Sequence, residues 1–148
     1  MPAAVGNTLI SITIMTDRDK PHPFKWSERL HSFVYAGRGI KLLWREHNTH
    51  IHLVATLLVG VAGICFGLSA VEWATIIIVI GFVWVTEALN TAIERLCDHV
   101  EPARHPAIAA VKDIAAAAVL IAALTAALTG LIIFIPHIIS CIAAWLPS

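Results

Sequence analysis

A polar helix face interrupts one of the most apolar parts of this 148-residue chain. The segment TEALNTAIERLCD, residues 86–98, places Glu87, Asn90, Glu94 and Asp98 directly behind a run that is apolar enough to lie in a lipid bilayer. At 100° per residue, Glu94 and Asp98 fall within about 20° of Glu87, and Asn90 lies about 60° to one side. One face therefore carries three carboxylates and an amide, which suit proton transfer and the binding of a hard cation.

The depth of Glu87 in the membrane makes a functional role the favoured interpretation. If Glu72 marks the outer boundary, a hydrocarbon core of about 30 Å ends near Ala92, so Glu87 lies inside it. An isolated acid at that depth costs roughly 2.5 to 3.5 kcal/mol, and such groups normally face a protein interior or a wet cleft. The alternative is that Glu87 and Asn90 only form hydrogen bonds between helices.

Two further polar clusters are expected at the same membrane level. In REHNTHIHL, Glu46 and His50 lie one helical turn apart. The second cluster, in ARHPAIAAVKD, consists of Arg104, His105, Lys112 and Asp113. Carboxylates for a cation and basic groups for phosphate are what a metal-dependent phosphoryl transfer site requires. The chain contains no GxxxxGK[ST] sequence, which excludes a P-loop kinase.

The composition predicts that an all-α integral membrane protein positions these residues. The chain is 58% hydrophobic and 14% charged. Residues 52–70, 71–97 and 110–135 are each long enough to span a bilayer, and Pro136 is expected to end the third span before a tail of residues 136–148. Residues 26–48 mix apolar residues at helical spacing with cations, which is typical of an amphipathic helix on the membrane surface. The domain then comprises residues 26–148, after a flexible extension of residues 1–25.

The distribution of cations predicts the orientation of the spans. Seven of the ten Lys and Arg residues precede residue 46, and the others are Arg95, Arg104 and Lys112. The N-terminus and the 94–113 loop are therefore expected to be cytoplasmic. Zero net charge and the lack of a basic stripe argue against a nucleic-acid partner. Because three spans cannot easily enclose a polar site, a homo-oligomer is expected.

Three segments of the chain resemble one family. FVYAGRGIKLLWREHNTHIHL, TEALNTAIERLCD and ARHPAIAAVKDIAAAAVL are similar to the small bacterial membrane lipid kinases, diacylglycerol kinase and undecaprenol kinase. The resemblance runs from about Arg29 to Pro136, and the ALTGLIIFIP ending is more similar to the undecaprenol kinases. It implies a homotrimer of three-span subunits with an amphipathic surface helix in the bacterial cytoplasmic membrane. Such a protein uses Mg²⁺ and ATP to phosphorylate a lipid alcohol by direct in-line transfer, with undecaprenol favoured over diacylglycerol.

The same resemblance implies a role for individual residues. Glu87 would be the general base, and Asn90 would orient the base or the acceptor. Glu46 and Glu94 would be the magnesium ligands, and Asp98 and Arg29 would support the site. The residues implied around the metal and nucleotide are Tyr35, Glu46, Glu94, Arg104, His105, Lys112 and Asp113.

Other functions are also compatible with an intramembrane carboxylate. Glu87 could serve a small transporter or proton-coupled carrier, but three spans without an inverted repeat favour the kinase. A non-enzymatic membrane scaffold is a further alternative. His47, His50 and His52 raise the possibility of a zinc site. However, His50 and His52 point away from each other on a helix, so interfacial histidines are the favoured interpretation.

Overall fold

The described part of the protein is helical. The computed structural model describes residues 26–145, apart from the side chains of residues 27–29. The helices are α1 (Trp26–Leu43), α2 (His47–Phe66), α3 (Ala70–Val100) and α4 (Pro106–Trp145). The predictions for residues 1–25 and for the end of the tail, residues 146–148, lie outside this range. Among the described residues, those up to Tyr35 and those from Ala36 onwards belong to two separate compact units.

Three of these helices are long and apolar enough to cross a membrane: α2, α3 and α4. Large apolar side chains remain exposed along them, including Leu58 at 66% and Ile132 at 75%. Continuous apolar surface of this kind suits contact with lipid chains or other helices, whereas a water-soluble protein of this size would bury most of it. The prediction of an all-α membrane protein with three apolar helices is therefore confirmed.

The ends of α1 and α4 lie at other residues than the predicted ends of the surface helix and of the third span. The first helix ends at Leu43 and not at residue 48, because Glu46 adopts an extended conformation at the start of α2. Pro136 lies inside α4, which continues to Trp145. A proline removes one backbone hydrogen bond, to the carbonyl of Ile132. A single missing bond is tolerated in membrane helices more readily than in exposed ones, so α4 continues through Pro136, and the end of the third span there remains a prediction.

A tight turn joins α2 to α3 and makes them antiparallel. Gly67 has a φ of 66°, and its N–H donates to the Ile64 carbonyl at 3.2 Å. The Leu68 N–H donates to the Gly63 carbonyl at 3.1 Å, which completes a Schellman ending. Gly63 and Gly67 lie four residues apart, a spacing that is common where membrane helices pack closely. Only Gly63 packs against another helix, since Gly67 provides the left-handed residue that ends α2.

The beginning of α3 is fixed by a capping box that also contacts α4. The Glu72 N–H donates to Ser69 Oγ at 3.4 Å, and the Ser69 N–H donates to Glu72 Oε2 at 2.7 Å. The other carboxylate oxygen, Glu72 Oε1, lies 3.0 Å from His137 Nε2. Glu72 thus links two helices at the end of the bundle opposite to Glu87.

Gly63 provides the closest approach of α2 to α3, and its replacement by alanine is expected to destabilise the protein. A Cβ atom there would lie 2.7 Å from the Trp73 ring. Overpacking of this kind typically costs about 1–3 kcal/mol of unfolding free energy. At Gly60, on the same helix, a Cβ meets nothing within 4 Å. We expect Gly63→Ala to lower the unfolding midpoint in detergent, and Gly60→Ala to preserve or raise it. Equal midpoints would contradict this packing.

Candidate active site

The polar face of α3 turns into the helix bundle. Glu87 is 1% exposed and Asn90 is 5% exposed, whereas the apolar neighbour Leu89 is 57% exposed. Glu87 is thus the largest side chain that the described residues bury completely. Because Leu89 takes the outward face, the helix presents hydrocarbon to its surroundings and its carboxylate to α2.

Three buried oxygens in this region have unused hydrogen-bonding capacity. Within residues 26–145, Glu87 Oε2, Asn90 Oδ1 and Thr49 Oγ1 have no hydrogen-bond partner. Asn90 uses its other atom, because Nδ2 donates to Glu94 Oε1 at 3.1 Å. Buried polar atoms are normally paired, and an unpaired one costs about 1–3 kcal/mol. These oxygens can therefore each accept a further hydrogen bond, from a neighbouring side chain or from a ligand.

A histidine that the sequence analysis did not assign to the site lies beside Glu87. His52 Nε2 is 3.7 Å from Glu87 Oε2, and their side chains are 18% and 2% exposed. The sequence placed His52 only in an interfacial cluster. A usable signal was present, since Thr49, His52 and Thr56 follow one another at spacings of three and four residues. They form a polar stripe on the otherwise apolar α2.

A second polar region lies where α3 ends and α4 begins. Lys112 Nζ is 2.8 Å from Asp98 Oδ1, so the two helices are joined by an ion pair. An open cleft of about 580 Å³ lies beside this pair. Its lining includes every residue of the second predicted cluster: Arg104, His105, Lys112 and Asp113. The structure therefore brings four of the proposed nucleotide-binding residues together with Asp98.

The two proposed magnesium ligands have different partners in the chain. Glu46 Oε1 forms an ion pair with Arg95 Nη2 at 2.6 Å, and Glu94 accepts from Asn90. In residues 26–145, no three Asp, Glu, His or Cys side chains lie close enough to hold a metal ion. Mg²⁺ commonly binds one or two carboxylates together with phosphate oxygens and water. Glu46 and Glu94 each supply a carboxylate of the kind that this ion binds, and their role as ligands remains a prediction.

Two of the proposed site residues belong to the N-terminal unit, residues 1–35. Tyr35 lies in α1 and is 64% exposed. Arg29 lies in the same helix, but its side chain is outside the described part. Their participation in the site therefore remains a prediction.

An apolar cleft of about 480 Å³ lies between α2, α3 and α4. His52, Thr56 and Trp84 line one end of it, next to Glu87. The lining on α4 runs from Ala123 to Ile138, which corresponds to about 22 Å along the helix axis. The cleft is therefore long enough to accommodate much of a hydrocarbon chain within one membrane thickness, with the polar end at Glu87.

Small residues recur every four positions along α4, at Ala118, Ala122, Ala126 and Gly130, and they have two different surroundings. Ala122 is 1% exposed and packs within the bundle, whereas Ala126 and Gly130 line the cleft. Small side chains there leave room beside the bulkier residues of α3.

Comparison with known proteins identifies the family. The family model for prokaryotic diacylglycerol kinase matches residues 34–134. Undecaprenol kinase from Bacillus subtilis is 39% identical over 80% of this chain and 98% of its own length. Diacylglycerol kinase from Escherichia coli is 31% identical over 70% of this chain and 85% of its own length. The Synechocystis diacylglycerol kinase is 33% identical over 74% of this chain and 63% of its own length. The chain therefore belongs to the prokaryotic diacylglycerol kinase family and is a lipid kinase.

Proposed function

We propose that this protein transfers the γ-phosphate of ATP, in the presence of Mg²⁺, to the hydroxyl of a membrane lipid alcohol. Undecaprenol is the favoured acceptor and diacylglycerol the next, because the relative named undecaprenol kinase covers more of this chain at higher identity. One structural observation carries the proposal. Glu87 is buried with an unpaired oxygen, at the end of an apolar cleft and on the same helix as the charged residues of the nucleotide region.

The arrangement separates a lipid region from a nucleotide region along α3. Seven residues, or about 10 Å of helix, separate Glu87 from Glu94, and Asp98 lies about 6 Å further on. A lipid with its chain in the apolar cleft would bring its hydroxyl to Glu87. ATP would then remain in the polar cleft near Asp98 and Lys112, with its triphosphate extending towards Glu87.

In the proposed reaction, Glu87 accepts the proton of the lipid hydroxyl as the oxygen attacks the γ-phosphorus. The new O–P bond forms while the bond from that phosphorus to the β-phosphate oxygen breaks, and ADP leaves with that electron pair. Asn90 lies one turn from Glu87 and is proposed to orient the acceptor, because its free Oδ1 can accept a hydrogen bond from an arriving hydroxyl. No phosphoenzyme is needed, since both substrates meet at one place.

Glu46 and Glu94 are the proposed magnesium ligands. When bound, Mg²⁺ would neutralise phosphate charge as it develops. For Glu46 to bind Mg²⁺, its carboxylate must release Arg95 and contact the ion instead. The side chains of Glu46 and Arg95 are 35% and 46% exposed. An ion pair at that exposure is weak, so releasing Arg95 costs little free energy.

We further propose a homotrimer in the bacterial cytoplasmic membrane, with the N-terminus and the 94–113 loop in the cytoplasm and the first helix on the membrane surface. The support is the large apolar surface of the single chain and the cation distribution. Tyr35, Arg29, Arg104, His105 and Asp113 are proposed to assist nucleotide binding. The carrier alternative has less support, because the family members named above are kinases.

An acceptor panel tests this function. Purified protein in mixed micelles should transfer labelled γ-phosphate from ATP to undecaprenol and, with lower kcat/KM, to diacylglycerol. Farnesol, a short prenyl alcohol, should be a poorer acceptor than undecaprenol, because it fills less of the apolar cleft. The measurement is labelled lipid phosphate at equal mole fraction of each acceptor. A preference for diacylglycerol would reverse the assignment of the acceptor, and the failure of every lipid alcohol would refute the proposed activity.

A further inference from the structure

His52 is placed to control the orientation of Glu87. Its Nε2 atom faces Glu87 Oε2 at 3.7 Å, and that oxygen has no hydrogen-bond partner among the described residues. An N–H···O hydrogen bond has a distance of about 2.7–3.2 Å between its nitrogen and oxygen atoms. A small movement of either side chain would therefore bring the two atoms into a hydrogen bond. Hydrogen bonds between catalytic groups are often long in the ligand-free state and shorten when substrate binds.

The register between α2 and α3 holds these two residues opposite each other. Trp84 Nε1 donates to Thr56 Oγ1 at 3.1 Å, and Thr56 Oγ1 donates to the His52 carbonyl at 2.7 Å. Thr56 lies one turn after His52, and Trp84 lies one turn before Glu87. Because the helices run antiparallel, the Trp84–Thr56 contact and the His52–Glu87 contact lie one helical turn apart along the same interface. His52 is therefore placed by a specific interhelical bond as well as by packing.

We propose that His52 is a positioning residue for phosphoryl transfer, which donates from Nε2 to Glu87 Oε2 and thereby directs Oε1 towards the acceptor hydroxyl. This inference rests on the proposed role of Glu87 as the base. The chemical steps are the same as those proposed above. The hydroxyl proton moves to Oε1, the O–P bond forms, and ADP leaves with the electrons of the broken P–O bond. His52 takes no proton from the substrate, and its contribution is the orientation of the carboxylate.

His52 also lines the apolar cleft at the end nearest Glu87. A lipid that lies in the cleft must pass its head group beside this imidazole to reach the carboxylate. The orientation of Glu87 is therefore set at the place where the acceptor arrives, and a change at His52 should affect lipid turnover without changing nucleotide affinity.

The test compares His52→Leu with His52→Gln in the full-length protein. The leucine variant should lower kcat about 10- to 100-fold, the size expected when a catalytic group is misplaced, with KM for ATP unchanged. Glutamine can present an N–H near the position of Nε2, so His52→Gln should recover most of that loss. In a Glu87→Gln background, His52→Leu should cause no further loss, because the carboxylate it orients is gone.

The chain provides a matched control in its other His–Glu pair. His137→Leu removes the 3.0 Å contact with Glu72 at the opposite end of the bundle and should leave kcat unchanged. A wild-type kcat for His52→Leu, or equal losses for its leucine and glutamine variants, would overturn the inference. So would a further loss in the Glu87→Gln background. A wild-type rate for Glu87→Gln alone would instead refute the role of the base, so the two failures can be distinguished.

Discussion

Replacement of Glu87 by glutamine is expected to lower kcat for lipid phosphorylation about 100- to 10,000-fold, the range that a positioned general base contributes. Glutamine has the same shape as glutamate but cannot accept the hydroxyl proton. KM for ATP should change little, since the nucleotide region lies further along α3. The measurement is labelled phosphate transfer to undecaprenol at saturating ATP.

The same substitution is expected to preserve or raise stability. Glu87 is 1% exposed and one of its oxygens is unpaired. Burial of that oxygen without a hydrogen bond lowers the free energy of unfolding. A neutral amide is less costly to bury than an ionised carboxylate. Loss of activity together with an unchanged or higher unfolding midpoint would indicate that Glu87 acts in catalysis and does not stabilise the fold. A lower midpoint with normal turnover would indicate a structural carboxylate.

Glu72→Gln is the matched control for Glu87→Gln. Glu72 caps α3 and contacts His137 outside the proposed site. Its replacement should lower the unfolding midpoint, because the capping box and the contact with α4 are weakened, and should leave kcat unchanged. The same chemical change is therefore expected to have opposite effects at the two positions. Glu87→Gln should lower kcat without lowering the unfolding midpoint, and Glu72→Gln should lower the midpoint without lowering kcat. A fall in kcat for Glu72→Gln would show that the assay responds to general destabilisation of the bundle.

The polar face of α3 was predictable because it depends on one helix alone. A period of 3.6 residues fixes the relative directions of Glu87, Asn90 and Glu94 as soon as the segment is helical. The large apolar excess around them requires that this face turn inward, and Glu87 and Asn90 are in fact buried. Local periodicity and the low tolerance of hydrocarbon for charge were sufficient for this part of the site.

Contacts between helices could not be derived in the same way. The His52–Glu87 and Glu46–Arg95 pairs depend on the register of α2 against α3, which follows from the Gly67 turn and from Trp73 packing on Gly63. Neither pair has a signature at fixed sequence spacing. Consequently, the sequence identified the carboxylates of the site but missed the imidazole beside them.

The continuation of α4 beyond Pro136 could not be derived from the sequence for a related reason. Proline is a reliable stop signal where water competes for the freed carbonyl and the helix has little else to hold it together. In an apolar helix, each further unpaired backbone group is costly, so continuing the helix is the better solution. The helix therefore continues to Trp145, and the end of the third membrane span at Pro136 remains a prediction.

Replacement of Lys112 by glutamine is the second change with a large expected effect. Lys112 reaches from α4 to Asp98 at 2.8 Å and lines the polar cleft proposed to hold ATP. Its ammonium group would offset the negative charge that develops as the phosphoryl group is transferred, and removal of one such group commonly costs about 100- to 1,000-fold in rate. We expect a loss of that size in kcat/KM for ATP, measured by labelled phosphate transfer at subsaturating nucleotide.

Asp98 and Lys41 supply the comparison variants for this prediction. The ion pair is partly exposed, with side chains at 35% for Lys112 and 67% for Asp98, so its loss should hardly affect folding. Asp98→Asn keeps the Lys112 charge and removes only its partner, so the loss of kcat/KM should be smaller than for Lys112→Gln. Lys41→Gln removes an exposed cation from the last turn of α1 and should leave kcat/KM unchanged. Equal losses for Lys112→Gln and Lys41→Gln would mean that total positive charge, and not the cleft beside Asp98, attracts the nucleotide.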